Sequence, residues 1–114
     1  MAIATDFLQI YRGDTYTMDI TVTDYLGVAF NLTGYTATFT AKTGDTEVIS
    51  VETLCDTDPT TGIETIVLSS EDTDVTVKVY DYDIEIRNTD TPPIVHTVAR
   101  GKLSILKDIT RWMK

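Results

Sequence analysis

One cysteine, one histidine and one tryptophan occur in 114 residues, and each scarcity excludes something. Cys55 has no partner within the chain, so no intrachain disulfide can form and packing alone must hold the fold. His96 is the single histidine, flanked by Val95 and Thr97, and no serine or cysteine has a readable base beside it. Nucleophilic and general-base catalysis therefore have no support, and no enzyme activity is expected. No apolar run approaches the ~20 residues of a membrane-spanning helix, so no membrane partner is expected. Positive charge is also short: nine Lys and Arg stand against eighteen Asp and Glu, a net charge of -9 with a pI near 4.3. Phosphates would be repelled, so nucleic acid is not an expected partner. The first residues, Met1 to Phe7, have neither a basic segment nor a long apolar core; no secretory signal is read, and synthesis in a reducing cytoplasm is expected.

What is abundant is β-forming. Threonine makes up nearly a fifth of the chain, with frequent valine, isoleucine and tyrosine, all suited to pleated surfaces. The length fits one domain, residues 1–114, with a single core. Two-residue alternation marks the strands. Phe7 to Tyr11 is a short first strand ending at the Arg12-Gly13-Asp14 turn. Thr15 to Thr23 places Tyr16, Met18, Ile20 and Val22 on one face. Asp24-Tyr25-Leu26-Gly27 is a tight turn. Val28 to Phe30 is a short segment before Asn31-Leu32-Thr33-Gly34. Tyr35, Ala37, Phe39 and Ala41 alternate with threonines and Lys42. Glu47 to Cys55 is less regular, as at a sheet edge, and Ile63 to Leu68 resumes strand composition with Glu64, Ile66 and Leu68 sharing a face.

The strongest pattern lies in Ser69 to Arg87. Tyr80, Tyr82, Ile84 and Ile86 share one parity and Asp81, Asp83, Glu85 and Arg87 the other, while Val75, Val77 and Val79 put a buried phase one residue out of step. A one-residue slip reverses every side chain, so a turn or bulge is expected between Val75 and Tyr80. The turn near Ser70 to Asp74 is the sole helical feature, with Ser70 as its expected cap. After a loop holding Pro92 and Pro93, Ile94 to Ala99 returns as a hairpin partner, and a bulge or bend is expected at Gly101. Some seven to nine short strands with regular turn signals predict an all-β, antiparallel, immunoglobulin-like sandwich without a disulfide. The acidic corner containing Asp72, followed by Tyr80, looks like the immunoglobulin tyrosine corner, in which a tyrosine bonds back to the preceding loop.

Candidate sites are weak against plainer readings. Asp56 to Gly62 alternates oxygen ligands like a calcium loop, but Pro59 intrudes and no glutamate falls at the twelfth place, so an ordinary loop is the simpler reading. Asp81, Asp83 and Glu85 form a carboxylate ladder, which reads as a solvated face rather than the paired carboxylates of a cleft. Cys55 reads as an inert thiol. Arg12-Gly13-Asp14 spells an adhesion tripeptide and Asn31-Leu32-Thr33 a glycosylation sequon; a turn explains the first, and no secretory signal supports use of the second. No cofactor or metal is expected. Phe7 and Leu8 near one end, and Trp112 and Met113 with Arg111 near the other, lie in segments with apolar side chains but no pattern. They are candidate assembly contacts, with Trp112 alternatively plugging one end of the core. Tyr11, Tyr16, Tyr25 and Tyr35 keep a carbohydrate-binding module open as the alternative function, a glycan being its ligand.

The order of the punctuation carries more. Gly13-Asp14-Thr15, Asp24-Tyr25-Leu26-Gly27, Leu32-Thr33-Gly34-Tyr35, Ser70-Glu71-Asp72-Thr73, Tyr80-Asp81-Tyr82-Asp83-Ile84, Thr97-Val98-Ala99-Arg100-Gly101-Lys102-Leu103 and Asp108-Ile109-Thr110-Arg111 follow one another. In that sequence they resemble a small immunoglobulin-like domain of tailed bacteriophages, the amino-terminal domain of baseplate upper proteins. Lys78 stands where such domains often have glycine. The resemblance implies a non-enzymatic virion protein, made in the bacterial host cytoplasm. It would serve in a baseplate, tail, neck or fibre attachment, or decorate a capsid. Its implied partners are other phage virion proteins and further copies of itself.

Overall fold

Alternation in two segments sets the centre of the fold. β6 (Lys78–Arg87) turns Tyr80, Tyr82, Ile84 and Ile86 inward, and β3 (Thr36–Thr43) turns in Ala37, Phe39 and Ala41, all buried. The two strands pair antiparallel with Phe39 opposite Ile84 and Ala41 opposite Tyr82. The small alanines leave room for the large rings, and Phe39 stacks on Tyr82 with centroids 5.3 Å apart. The computed structural model describes residues 4–56 and 59–108.

Seven strands occur among the described residues, in two sheets. The larger runs β1 (Ala4–Tyr11), β7 (Val95–Leu106), β6, β3, β4 (Thr46–Leu54), with β1 parallel to β7 and the other pairs antiparallel. The smaller joins β2 (Tyr16–Thr21) to β5 (Ile63–Leu68) antiparallel. Between them Ile20, Val22, Ile66 and Leu68 share one core with Ile84, Ile86, Leu103 and Ile105. Each such side chain contributes about 1.5–3 kcal/mol by leaving water. The chain is a β-sandwich, with no disulfide because Cys55 is alone.

The expected break before β6 is present: the chain bends through Val75 to Val77, and β6 begins at Lys78, so Val75 to Arg87 is not one strand. Three other local expectations change. The second buried phase is absent, since only Val75 packs on the core while Val77 and Val79 face solvent. A shift in register does occur, but between β6 and β7. Ile84 faces Ala99 and Glu85 faces Thr97, so the extra residue is Val98 rather than Gly101. That insertion lets adjacent Val98 and Ala99 both be buried, and the inward phase then continues through Leu103 and Ile105. The cap of the 70–73 turn is Ser69, not Ser70. The Asp72 amide donates to Ser69 Oγ (3.1 Å) and the Ser69 amide to Asp72 Oδ2 (2.8 Å), a reciprocal pair that closes the turn. β4 lies at a sheet edge, as its irregular pattern suggests.

Candidate functional site

The groups with chemical potential are spent on structure. Cys55 is buried; desolvation, helped by the nearby Glu64 carboxylate, pushes its thiol from 9.0 up to about 11. A thiol so raised is the opposite of an activated nucleophile. His96 is half-buried, edge-on to the Phe30 ring at 6.0 Å. Glu64 is buried on the inward face of β5, beside Ile66 and Leu68, and accepts the Thr65 amide (3.1 Å).

The acidic ladder is not a bare anionic face. Asp81 pairs with Lys102 and stands opposite Lys42, while Asp83 stands opposite Arg100. Cations on the two neighbouring strands thus interleave the carboxylates over an open trough of about 890 Å³ on the outer face of the large sheet. No group of three or more metal-ligating side chains occurs among the described residues. In the loop read against a calcium site, Pro59–Thr61 form a 3-10 turn, and residues 57 and 58 lie outside the described residues.

The pleat separates the first pair of candidate contacts. Phe7 projects from β1 onto the rim of the outer trough, opposite Lys102, and Leu8 turns inward against the core. Arg111, Trp112 and Met113 lie outside the described residues. Tyr80 is buried; its hydroxyl donates to the Thr76 carbonyl at 2.6 Å, a bond back to the bend before β6. Asp72 closes the neighbouring turn. Arg12 does not display the adhesion tripeptide: its guanidinium binds Asp108 at 2.9 Å, across 96 positions of sequence. In the sequon, Asn31 Oδ1 accepts the Thr33 amide and Leu32 is fully buried. The four tyrosines considered for a sugar platform do not share a face. Tyr35 is buried and Tyr16 half-buried, and exposed Tyr11 and Tyr25 sit at the end of β1 and in the loop after β2.

One surface feature is assembled rather than incidental. Tyr25 is 82% exposed, Leu26 75% and Val28 60%, on the tip between β2 and β3. The tip is held rigid: the Asp24 carboxylate accepts the amides of Leu26 (2.8 Å) and Val28 (3.0 Å), and Gly27 takes a positive φ of 83°. At the same end Leu54, Thr36, Arg87 and Val95 form one row across β4, β3, β6 and β7. With Ile94, that end carries six of the eleven exposed large apolar side chains among the described residues. A concentration of exposed apolar side chains of this kind is suited to contact with another protein. In the sequence this stretch reads as a turn, and its signal for a contact is two adjacent large apolar residues, Tyr25-Leu26, at a turn apex where polar residues are usual.

No protein-family model matches the sequence, and no curated protein is similar to it. Among solved structures the chain is similar to the N-terminal domain of phage TP901-1 ORF48. The TM-score is 0.61 at 11% identity, with 92% of this chain and 98% of that one covered. At that identity the likeness is one of fold. The resemblance drawn from the order of turn motifs is shown at that level, in a sandwich matched over nearly its whole length.

Proposed function

We propose that the chain is a non-enzymatic structural subunit of a tailed-bacteriophage virion, one domain that works by protein–protein assembly in a baseplate, tail, neck, fibre attachment or capsid surface. The observation that carries this reading is the fold likeness over almost all of both chains to a domain of a phage protein. Two features of the molecule support it. The groups that would serve catalysis are buried, raised or ion-paired, and a rigid apolar tip stands out from one end of the sandwich. The contacts lie at that tip, with Phe7 a second contact on the outer sheet face. The partners are other virion proteins, including further copies of the chain, and synthesis precedes assembly in the host cytoplasm.

The test is the protein composition of tailed particles released by cells carrying the gene, purified on a density gradient. Peptides of this chain should co-migrate with the particles at a fixed ratio to the other structural proteins. Peptides found only in the soluble lysate would sink the proposal.

A further inference from the structure

The sandwich is unequal: five strands on one side face two on the other, and one flank stays open. Among the described residues no strand pairs with the second edge of β2, so the main-chain groups of Tyr16–Thr21 on that side have no ladder partner. Beside this edge runs a groove of about 330 Å³ lined by Leu8, Met18, Ile20, Val22, Val98 and Ala99. It opens into the core. An unpaired edge beside an apolar groove is the setting in which a further strand adds, main chain to main chain and side chain to groove.

We propose that this groove is the docking site of the chain's own carboxy-terminal segment, residues 109–114, with Trp112 filling it. Three observations select that occupant. The first is position. Asp108 is bound to Arg12, and the Arg12 amide donates to the Leu106 carbonyl at 2.9 Å. These bonds carry the chain past the end of β1 to the turn that leads into β2, so Asp108, the last described residue, lies toward the Tyr16 end of the groove. The second is length. Six extended residues span roughly 20 Å, the length of a six-residue strand such as β2. The third is charge. Residues 1–108 hold seven Lys and Arg against eighteen Asp and Glu, a net of -11, whereas residues 109–114 add Arg111 and Lys114 with no acid. A cationic segment with a large apolar side chain complements an acidic body with an apolar groove. A second copy of the body does not.

Trp112 is the single tryptophan, so the full-length protein reports on itself. Its emission should be blue-shifted from that of the urea-unfolded chain, with acrylamide quenching several-fold weaker, and neither should change with protein concentration. Met18→Glu should return both to the unfolded values while Met18→Leu keeps them native. Because Met18→Glu also strains the core, a second measurement uses Trp112→Ser in the full chain. Hydrogen exchange in the 15–22 segment should quicken several-fold while β6 stays unchanged. A solvent-exposed Trp112 in the native protein overturns the proposal, as it would if residues 1–3 filled the groove. Concentration-dependent protection overturns it in favour of a neighbouring copy, and unchanged exchange in Trp112→Ser overturns it outright. Each readout concerns the isolated chain, so the result stands apart from the virion reading.

Discussion

Cys55 and Tyr80 are ionisable side chains used for their neutral forms. Burial raises both above their ordinary values, and for Cys55 the Glu64 carboxylate adds to the effect. For the thiol the sign is definite. Below pH 9 it is protonated whether the chain is folded or not, and its contribution to stability is intact. As pH rises from 9 towards 11 the unfolded chain ionises and the folded one does not, so stability falls. At about 1.4 kcal/mol per unit the loss is on the order of 2 kcal/mol. Urea midpoints at pH 8 and pH 10.5 should therefore fall further in the wild type than in Cys55→Ala; equal falls would show that the thiol is not the cause. Iodoacetamide at pH 8 should leave the native thiol unmodified. The Tyr80 hydroxyl binds the Thr76 carbonyl at 2.6 Å, so Tyr80→Phe should cost about 1 kcal/mol in the same assay at neutral pH. A value near zero would mean that water replaces the hydroxyl without loss.

At the scale of elements, the joint between β2 and β5 depends on Gly62. Its φ is 75°, and a Cβ there would press on the Val22 carbonyl and lie 3.0 Å from the Phe30 carbonyl. Those groups cannot retreat freely, because the Val22 amide donates to the Gly62 carbonyl (2.7 Å) and the Phe30 amide to the Val22 carbonyl (2.9 Å). Gly62→Ala should destabilise by ~2 kcal/mol or more, the left-handed penalty plus the clash, whereas Gly44→Ala, open on all sides, should cost only the ~1–2 kcal/mol penalty. Equal thermal shifts for the two would remove the steric argument. Gly62 also shows what sequence could and could not convey. As part of a polar loop it looked like punctuation, and nothing local shows that the loop closes against Val22 and Phe30. Alternation, being local, makes β2, β3, β5 and β6 legible. Composition points to a bulge at Gly101. It sits at Val98 because a bulge belongs to a pair of strands, and the register of β6 against β7 cannot be seen within β7. The valines before β6 misled for a related reason. Alternation implies burial only where a partner sheet covers the strand, and Val77 and Val79 are uncovered. The Arg12–Asp108 pair joins residues 96 positions apart, beyond any local pattern.

For the whole molecule, the decisive asymmetry is between the two ends of the sandwich. The end with Tyr25, Leu26 and Val28 concentrates exposed apolar surface on a loop whose geometry is fixed by Asp24, so it would lose little entropy on binding. The outer face of the large sheet is a mixed lattice of Asp81, Lys102, Asp83 and Arg100, with charges already matched within the chain. Matched charges give a second protein little to add, since exposed pairs are worth only ~0–1 kcal/mol. If assembly uses the tip, Tyr25→Ser with Leu26→Ser should change the unfolding free energy by less than about 0.5 kcal/mol, because neither side chain enters the core. The same double variant should enter particles at least about tenfold less well, as expected when two central apolar anchors are lost. Phe7→Ser serves as the comparison, since Phe7 is exposed too but projects from the lattice face. A drop confined to the tip variant would place the contact there. A drop confined to Phe7→Ser would move it to the outer sheet, and full incorporation of both would show that neither surface drives assembly.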